Sequence, residues 1–156
     1  MSNSMDSNAS HRPFSANGKP RIVPAQVDER ARGMRLLIVD DEPEICLLLK
    51  AMLEGVGGSC AMAHSRSDAL RSLEVERFDG ALVDINLPDG KGTDVIRVIK
   101  DNWPGVRVVA ISAEDQESVA ALGAGADAFL PKPLNRRAIF EGLDLERQQE
   151  TGANDE

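Results

Sequence analysis

The sequence predicts an α/β fold in which a five-stranded parallel sheet is doubly wound, with helices on both faces. Three observations support this prediction. Five short apolar segments alternate along the chain with five segments that have helical periodicity or helix-capping residues. The alternation occurs at short spacing, as expected when helices connect parallel strands. The first apolar segment, residues 35–39, is almost continuously apolar rather than alternating, so both of its faces should be covered.

Composition restricts the possible classes of protein. The 156 residues suit one domain, and a hydrophobic fraction of 42% supports a real core. A net charge of −8 argues against nucleic acid as a direct partner, because phosphate backbones bind basic surfaces. No apolar run approaches the ~18 residues of a membrane span, and the N-terminus has no apolar signal segment. We therefore expect a cytoplasmic protein without a membrane partner, in which Cys46 and Cys60 are reduced, packed thiols.

The chain divides into three parts. Residues 1–33 are rich in Ser, Asn, Pro and Arg and have little periodicity, which predicts a disordered N-terminal arm. Residues 34–148 contain all the predicted strands and helices and form the folded domain. Residues 149–156 are polar and acidic and are predicted to be a C-terminal tail.

The first half of the domain contains two strands and two helices. Residues 35–39 form the first strand, and Pro43 suits the first turn of the helix that follows. The apolar residues of this helix recur at helical spacing: Ile45, Leu48, Leu49, Met52 and Leu53. Residues 59–63 form the second strand, and Ser65 caps a helix that ends near Glu76.

The second half contains three strands and three helices. A turn over residues 78–80 leads into the third strand, which ends at Asp84. Asn135 caps the last helix, which should reach about residue 148. The other predicted elements are a helix over 93–100, a strand over 106–111, a short helix over 116–122 and a strand over 126–130.

Carboxylates follow two strands that should be neighbours. In the flavodoxin-like strand order 2-1-3-4-5, sites form outside the carboxyl ends of the strands, where the winding direction reverses between strands one and three. Asp40 and Asp41 follow strand one, and Asp84 ends strand three. Because three carboxylates so close together repel one another strongly, we expect a cation to join them. We predict that Asp84 is a phosphoryl acceptor and that the other two hold its metal.

The expected metal is Mg²⁺, which prefers oxygen ligands and bridges carboxylates to phosphate oxygens. Asp41 and Asp84 are the predicted direct ligands, and Asp40 is predicted to act through a bound water. The backbone carbonyl of Asn86, two residues after the acceptor, can supply another oxygen.

Two further residues follow the remaining strands. Lys132 can place a positive charge on one phosphoryl oxygen, and the Ser112 hydroxyl can donate to another. Each residue alone has a plainer explanation, since acidic and hydroxyl side chains often cap helices or turns, and a lysine between prolines is often solvated. Their joint position at the carboxyl ends of parallel strands favours a phosphoryl-transfer site, where placement and charge neutralisation carry the reaction.

Four segments resemble the receiver domain of two-component response regulators. They are residues 37–43, 82–88 with Gly92, 109–113 and 124–133, and the resemblance extends over residues 34–148. It implies that Asp84 takes a phosphoryl group from the phosphohistidine of a sensor histidine kinase or a histidine phosphotransfer protein. It implies no enzymatic activity beyond phosphorylation and dephosphorylation of Asp84 itself.

The resemblance also implies a switch. Ser112 is at the position of the family's switch hydroxyl and Phe129 at that of its switch aromatic residue. Phosphate on Asp84 would draw in the Ser112 hydroxyl, and Phe129 would turn inward and change a surface for a downstream protein. Phe129 can also be a static core or edge residue. The family has a cis peptide bond at the position of Lys132-Pro133.

The chain departs from the family pattern in two ways. Ser112 and Lys132 are 20 positions apart, about two fewer than is usual, so the fourth helix or the loop before it should be short. Only residues 149–156 follow the predicted last helix, which is too little for an effector domain. We expect a single-domain, chemotaxis-regulator-like protein that acts by contact, or part of a longer chain.

Two other functions compete with the receiver. A haloacid-dehalogenase-type phosphatase also uses an aspartate and Mg²⁺, but its nucleophile lies in an Asp-x-Asp pattern on an early strand. Here the best nucleophile, Asp84, ends the third strand and is followed by Ile85-Asn86. The second competitor is a pseudo-receiver that acts by binding alone, against which the complete acidic set argues.

Overall fold

The computed structural model describes residues 31–145, in which five parallel strands form one sheet. The strands are β1 (Arg35–Val39), β2 (Ser59–Ala63), β3 (Gly80–Asp84), β4 (Arg107–Ser112) and β5 (Ala128–Pro131). Their order is β2-β1-β3-β4-β5, which confirms the predicted order. The predicted arm up to residue 30 and the predicted tail over 149–156 lie outside the described residues. Ala31, near the end of the predicted arm, is fully buried.

Within residues 31–145, five α-helices connect or follow the strands. They are α1 (Pro43–Glu54), α2 (Arg66–Val75), α3 (Gly92–Asn102), α4 (Ser118–Gly123) and α5 (Arg136–Gly142). The two predicted caps are confirmed: Ser65 Oγ accepts from the Asp68 N–H at 3.1 Å, and Asn135 Oδ1 accepts from the Ala138 N–H at 2.8 Å. Over residues 31–145, no helix has the length and apolar character that a bilayer crossing requires.

Two shorter elements lie beside the carboxyl ends of the strands. Asn86–Leu87 pairs with Gly90–Lys91 as a small antiparallel ribbon between β3 and α3. A single 3₁₀ turn, Asp115–Glu117, precedes the six-residue helix α4. The connection between Ser112 and Lys132 therefore consists of short elements.

The sheet is covered on both faces, as the apolar character of β1 predicts. Leu36 and Ile38 pack in one cluster with buried residues of α1 and α5. Leu37 and Val39 point to the opposite face and pack with buried residues of α2, α3 and α4. All four side chains are fully buried, so β1 is a central strand of the core.

Helix α1 buries a somewhat different stripe from the one predicted. Cys46 is fully buried, whereas Leu48, which was expected to face inward, is 51% exposed. The neighbouring Leu47 is also exposed. Cys46 and Cys60 are free, buried thiols, as predicted, and burial raises the pKa of each to about 11.

The predicted start of the fifth strand is wrong by two residues. The strand begins at Ala128 rather than at residue 126. The Ala126 N–H donates to the Ala121 carbonyl at 3.1 Å, so it closes the end of α4 and is unavailable to a sheet partner.

The predicted end of the last helix is also wrong. Helix α5 ends at Gly142 rather than near residue 148. Asp144 adopts φ 64°, and the Leu145 N–H turns back to the Phe140 carbonyl at 2.7 Å, which is the pattern of a Schellman cap. Leu145 is 1% exposed. Its burial in the core holds the chain in the turn that ends α5. Residues 146–148 lie outside the described residues.

Candidate phosphoryl-acceptor site

Four strands deliver polar side chains to one edge of the sheet. Asp40 follows β1, Asp84 ends β3, Ser112 ends β4 and Lys132 follows β5. Because the strands are parallel, their carboxyl ends meet at the same edge. The Lys132 ammonium lies 3.0 Å from Asp84 Oδ2 and 3.1 Å from Asp40 Oδ2. The structure thus brings together residues from distant parts of the sequence.

Asp40, Asp41 and Asp84 form an acidic cluster in which one carboxylate oxygen of each lies within 4.8 Å of the others. Asp40 and Asp84 are buried, and Asp41 is exposed. Over residues 31–145, Asp40 Oδ2 is a buried oxygen without a hydrogen bond, although it pairs electrostatically with Lys132. Such an oxygen is costly to bury unless a cation satisfies it. An all-oxygen set of this kind suits a hard cation such as Mg²⁺.

Asp40 is held in place through its main chain as well as its side chain. Its Oδ1 accepts from the Glu42 N–H at 2.8 Å. Its carbonyl oxygen accepts from the thiol of Cys46 at 3.2 Å, and the protonated Nδ1 of His64 can donate to it from 3.0 Å. Burial raises the pKa of Asp40, and the hydrogen bond from the Glu42 N–H and the nearby charge of the Lys132 ammonium oppose this only in part.

Lys132 is surrounded by carboxylates. Its Nζ donates to Glu42 Oε1 at 2.8 Å in addition to its contacts with Asp84 and Asp40. Burial alone would lower the pKa of this amine, but the three carboxylates together raise the pKa above its ordinary value. Lys132 is therefore a fixed positive charge. The Lys132-Pro133 bond is cis, as the family resemblance implies.

The loop after β3 fixes the orientation of Asp84. The Asn86 N–H donates to Asp84 Oδ1 at 3.0 Å, while Lys132 occupies Oδ2. At the start of α3, the Gly92 N–H donates to the Ile85 carbonyl at 2.7 Å. A Cβ atom at position 92 would lie 2.0 Å from the carbonyl oxygen of Asp84, so only glycine fits there.

Ser112 is fully buried and is bonded to a residue that the sequence analysis missed. Its hydroxyl donates to Glu117 Oε1 and accepts from the Glu114 N–H at 3.0 Å. Glu117 lies in the 3₁₀ turn before α4 and belongs to no motif. The sequence contains one feature that could have indicated this contact. The connection between Ser112 and Lys132 is short, and a short connection brings the turn that carries Glu117 close to the strand end.

Phe129 lies on β5, where it pairs in register with Ala110 of β4. Its side chain is half-buried and packs against the core cluster on the α2–α4 face of the sheet. This position is next to the strand that carries Ser112. It suits either of the two predicted roles, a switch residue or a static core residue.

Fold and site together define the class of receiver-type signalling domains: a parallel sheet ordered 2-1-3-4-5 with an acidic cluster and a lysine at the carboxyl edge. The chain belongs to the response regulator receiver domain family, whose model matches residues 36–144. It is a receiver domain of two-component signal transduction. This assignment does not favour the haloacid-dehalogenase-type phosphatase or the pseudo-receiver.

Known proteins agree with the assignment. The chain is 32% identical over 123 residues to the transcriptional regulatory protein GlrR of Escherichia coli K12, covering 78% of this chain and 28% of GlrR. It thus spans little more than a quarter of that relative's length. A CheY-like receiver domain protein of Methanospirillum hungatei superposes with a TM-score of 0.68 at 34% identity, covering 76% of this chain and 98% of that one.

A third comparison concerns a structure with bound ligand. The response regulator TrrA of Thermotoga maritima, solved in complex with Mg²⁺-BeF, superposes with a TM-score of 0.66. Its identity to this chain is 26%, and the match covers 71% of this chain and 96% of TrrA.

Proposed function

We propose that Asp84 accepts a phosphoryl group in a Mg²⁺-dependent reaction. The donor is the phosphohistidine of a sensor histidine kinase or a histidine phosphotransfer protein. The observation that carries this proposal is the Lys132 ammonium held 3.0 Å from Asp84 Oδ2, beside an acidic cluster with a buried, unbonded oxygen. In the reaction, an Asp84 oxygen forms a bond to phosphorus while the phosphorus–nitrogen bond breaks and its electron pair returns to the imidazole.

The residues around Asp84 have distinct proposed roles toward Mg²⁺. Asp41 and Asp84 supply carboxylate ligands, Asp40 acts through a bound water, and the Asn86 carbonyl supplies a further oxygen. The spacing of the acidic cluster and the Asn86–Asp84 hydrogen bond support this set. When bound, the cation neutralises charge on the phosphoryl oxygens.

Lys132 and Ser112 are proposed to hold the phosphoryl group once it is on Asp84. The ammonium already lies against the acceptor carboxylate, so it can follow a phosphoryl oxygen with a small movement. Ser112 ends the adjacent strand, and its hydroxyl can donate to another oxygen. Holding these groups in place before the reaction reduces the entropy cost of reaching the transition state.

The output is proposed to be a changed protein-binding surface. When Ser112 moves toward the phosphoryl group, Phe129 turns inward and alters the face formed by α4, β5 and α5 for a downstream protein. Phe129 suits this role because it lies half-buried on β5, beside the strand that ends at Ser112. We also propose a cytoplasmic location, for which the two free, buried thiols are the support.

The decisive experiment is incubation with acetyl phosphate and Mg²⁺, read by intact mass. We expect a gain of one phosphoryl group, lost in Asp84→Asn and in the presence of EDTA. Asp115→Asn, which removes an exposed carboxylate from the 3₁₀ turn, is the matched control and should retain the gain. An unmodified wild type, or a modified Asp84→Asn variant, would overturn the proposal.

The same proposal confines the chemistry to Asp84. We propose that the chain phosphorylates and dephosphorylates only Asp84 and does not process other phosphate esters. A generic phosphate monoester is the appropriate probe, because a phosphatase would release phosphate continuously from it. We expect no continuous release, and steady turnover would support the phosphatase instead.

A further inference from the structure

We propose that Glu117 is a positioning residue that holds the Ser112 hydroxyl away from the phosphoryl site and thereby opposes activation. The inference rests on the proposed function of Asp84 and Ser112. It concerns a contact outside the acidic cluster, between the end of β4 and the 3₁₀ turn before α4.

The Ser112 hydroxyl can donate only one hydrogen bond. Ser112 Oγ carries one hydrogen, which it donates to Glu117 Oε1, and it also accepts from the Glu114 N–H. A serine hydroxyl has no second proton to donate. Ser112 therefore cannot bond a phosphoryl oxygen while it bonds Glu117, and activation requires the exchange of one acceptor for the other.

Glu117 is itself held firmly in this position. Asn86 Nδ2 donates to the same Oε1 at 2.7 Å, and Lys91 Nζ lies 3.4 Å from Oε2. Lys91 also donates to Asn86 Oδ1 at 2.7 Å, so Glu117, Asn86 and Lys91 each contact the other two. The Glu117 side chain is only 15% exposed. Mutual bonding of this kind keeps the carboxylate aimed at Ser112.

Glu117 is a charged acceptor. The Ser112 hydroxyl and the Asn86 amide donate to its Oε1, and the Lys91 ammonium lies 3.4 Å from its Oε2, so its surroundings favour the carboxylate form. A hydrogen bond to a carboxylate is stronger than one between neutral groups. The hydroxyl thus leaves one anionic acceptor for another, so its bond to Glu117 competes directly with a bond to the phosphoryl group.

Removal of Glu117 should favour the activated state. In the wild type, Ser112 Oγ bonds the Glu117 carboxylate and the Glu114 N–H. When the carboxylate is removed, neither of these partners supplies an anionic acceptor that competes with the phosphoryl group. Charge alone is a different explanation, because Glu117→Ala also removes a negative charge and releases Lys91 near the site. The two explanations differ in whether the effect requires Ser112.

The test is a titration of the full chain with beryllofluoride, a phosphoryl mimic, in the presence of Mg²⁺, followed by calorimetry. Four proteins are compared: the wild type, Glu117→Ala, Ser112→Ala and the double variant. We expect Glu117→Ala to bind beryllofluoride about tenfold more tightly than the wild type. This gain corresponds to one charge-assisted hydrogen bond, which Ser112 no longer has to break. In the Ser112→Ala background, the same substitution should change the affinity by less than about twofold.

Two further variants keep the test interpretable. Asp115→Asn removes one negative charge from the same turn and should leave the affinity unchanged. Glu117→Gln retains an acceptor oxygen without the charge and should give a smaller gain in the same direction, which supports the proposal if Glu117→Ala folds poorly.

An unchanged or weaker affinity in both Glu117 variants, or an equal gain with and without Ser112, would overturn the inference and leave the proposed function intact. Failure of the wild type to bind beryllofluoride or to gain a phosphoryl group would overturn the proposed function and the inference with it.

Discussion

The Lys132 ammonium lies 3.0 Å from the Asp84 carboxylate, although 48 residues separate the two in the sequence. The same ammonium also forms ion pairs with Asp40 and Glu42, so one cation pairs with three carboxylates. Asp40 and Asp84 are nearly inaccessible to solvent. The stability of this edge of the sheet therefore depends on Lys132 and on any cation that joins it.

The first prediction follows from this shared ammonium. Lys132→Met should lower the free energy of unfolding by about 3 kcal/mol in a chelating buffer, because it leaves two buried carboxylates without a cation. Mg²⁺ should restore part of the loss, since a ligand that binds only the folded state stabilises it. Urea unfolding with and without Mg²⁺ measures both effects.

Lys50→Met is the matched control for Lys132→Met. Lys50 pairs with Glu54 on the exposed surface of α1, where such a pair contributes at most about 0.5 kcal/mol. A similar loss in both variants would show that the buried cluster does not depend on Lys132.

The second prediction concerns the metal. Asp41→Asn should weaken Mg²⁺ binding at least about tenfold, because it removes a charged oxygen from a cluster of three carboxylates. Isothermal titration calorimetry of the unphosphorylated protein gives the affinity directly. Asp115→Asn removes an exposed carboxylate outside the cluster and should change the affinity little, since solvent and salt screen it. Equal affinities for wild type and Asp41→Asn would exclude Asp41 as a ligand.

The third prediction uses the close approach at Gly92. Alanine normally suits a helix better than glycine, yet Gly92→Ala should destabilise the protein by about 3 kcal/mol, because its Cβ would collide with the Asp84 carbonyl. Phosphoryl uptake should fall as well, since any relief of the collision moves Asp84. Urea unfolding and intact mass measure the two effects.

Gly123 offers the control for Gly92. It is the last residue of α4, and a Cβ atom there would meet nothing within 4 Å. Gly123→Ala should therefore stabilise the protein by about 0.5–1 kcal/mol. If both alanine variants are stabilising, the close approach at Gly92 is wrong.

The fourth prediction concerns pH. Asp89 accepts from the N–H groups of Arg66 and Ser67 at the start of α2. The Ser67 N–H chiefly lowers the pKa of Asp89, with help from Arg66 and against a lesser effect of burial. Because the folded-state pKa lies below the ordinary 3.8, the stabilisation is complete above about pH 4 and is lost as pH falls through the folded-state value.

Asp89→Asn tests this pH dependence. The difference in unfolding free energy between wild type and variant should be largest near neutral pH and should shrink in acid, which urea unfolding across a pH series measures. Asp101→Asn changes an exposed carboxylate in the last turn of α3 as the control. A difference for Asp89→Asn that stays constant down to about pH 2 would contradict the prediction.

The fifth prediction concerns the end of α5. Leu145→Ala should lower the free energy of unfolding by about 2–5 kcal/mol, because the side chain is 1% exposed and its loss leaves a cavity. Leu47→Ala, at a leucine that is 58% exposed, should cost less than about 0.5 kcal/mol. Thermal or urea unfolding of both variants provides the comparison, and a small effect at Leu145 would mean that this side chain does not complete the core.

Features that follow from local sequence patterns or from the parallel arrangement of the strands could be predicted from the sequence. The Ser65 and Asn135 caps use side chains close to the N–H groups that they accept, and the strand order follows from alternating strands and helices. The meeting of Asp84 and Lys132 was also predictable, because parallel strands place their carboxyl ends together.

Features that depend on how individual side chains pack between elements could not be predicted. Helix α5 ends because Leu145 is buried in the core and its N–H bonds the Phe140 carbonyl. No local sequence pattern indicates that Leu145 is buried. Glu117 reaches Ser112 and Asn86 only because the short turn before α4 folds over the strand ends. Cys46 replaces Leu48 as a buried residue of α1 because the rotation of the helix depends on its packing against the sheet.

Strand β5 is an edge strand, and Lys132 follows it directly. During synthesis on the ribosome, Asp84 is made 48 residues before Lys132, so its carboxylate has no contact with this ammonium until β5 has joined the sheet. A chain in which β5 has not joined the sheet therefore lacks the positive charge that the proposed phosphoryl transfer places beside Asp84. The position of Lys132 directly after β5 therefore makes the Asp84–Lys132 pair depend on completion of the sheet.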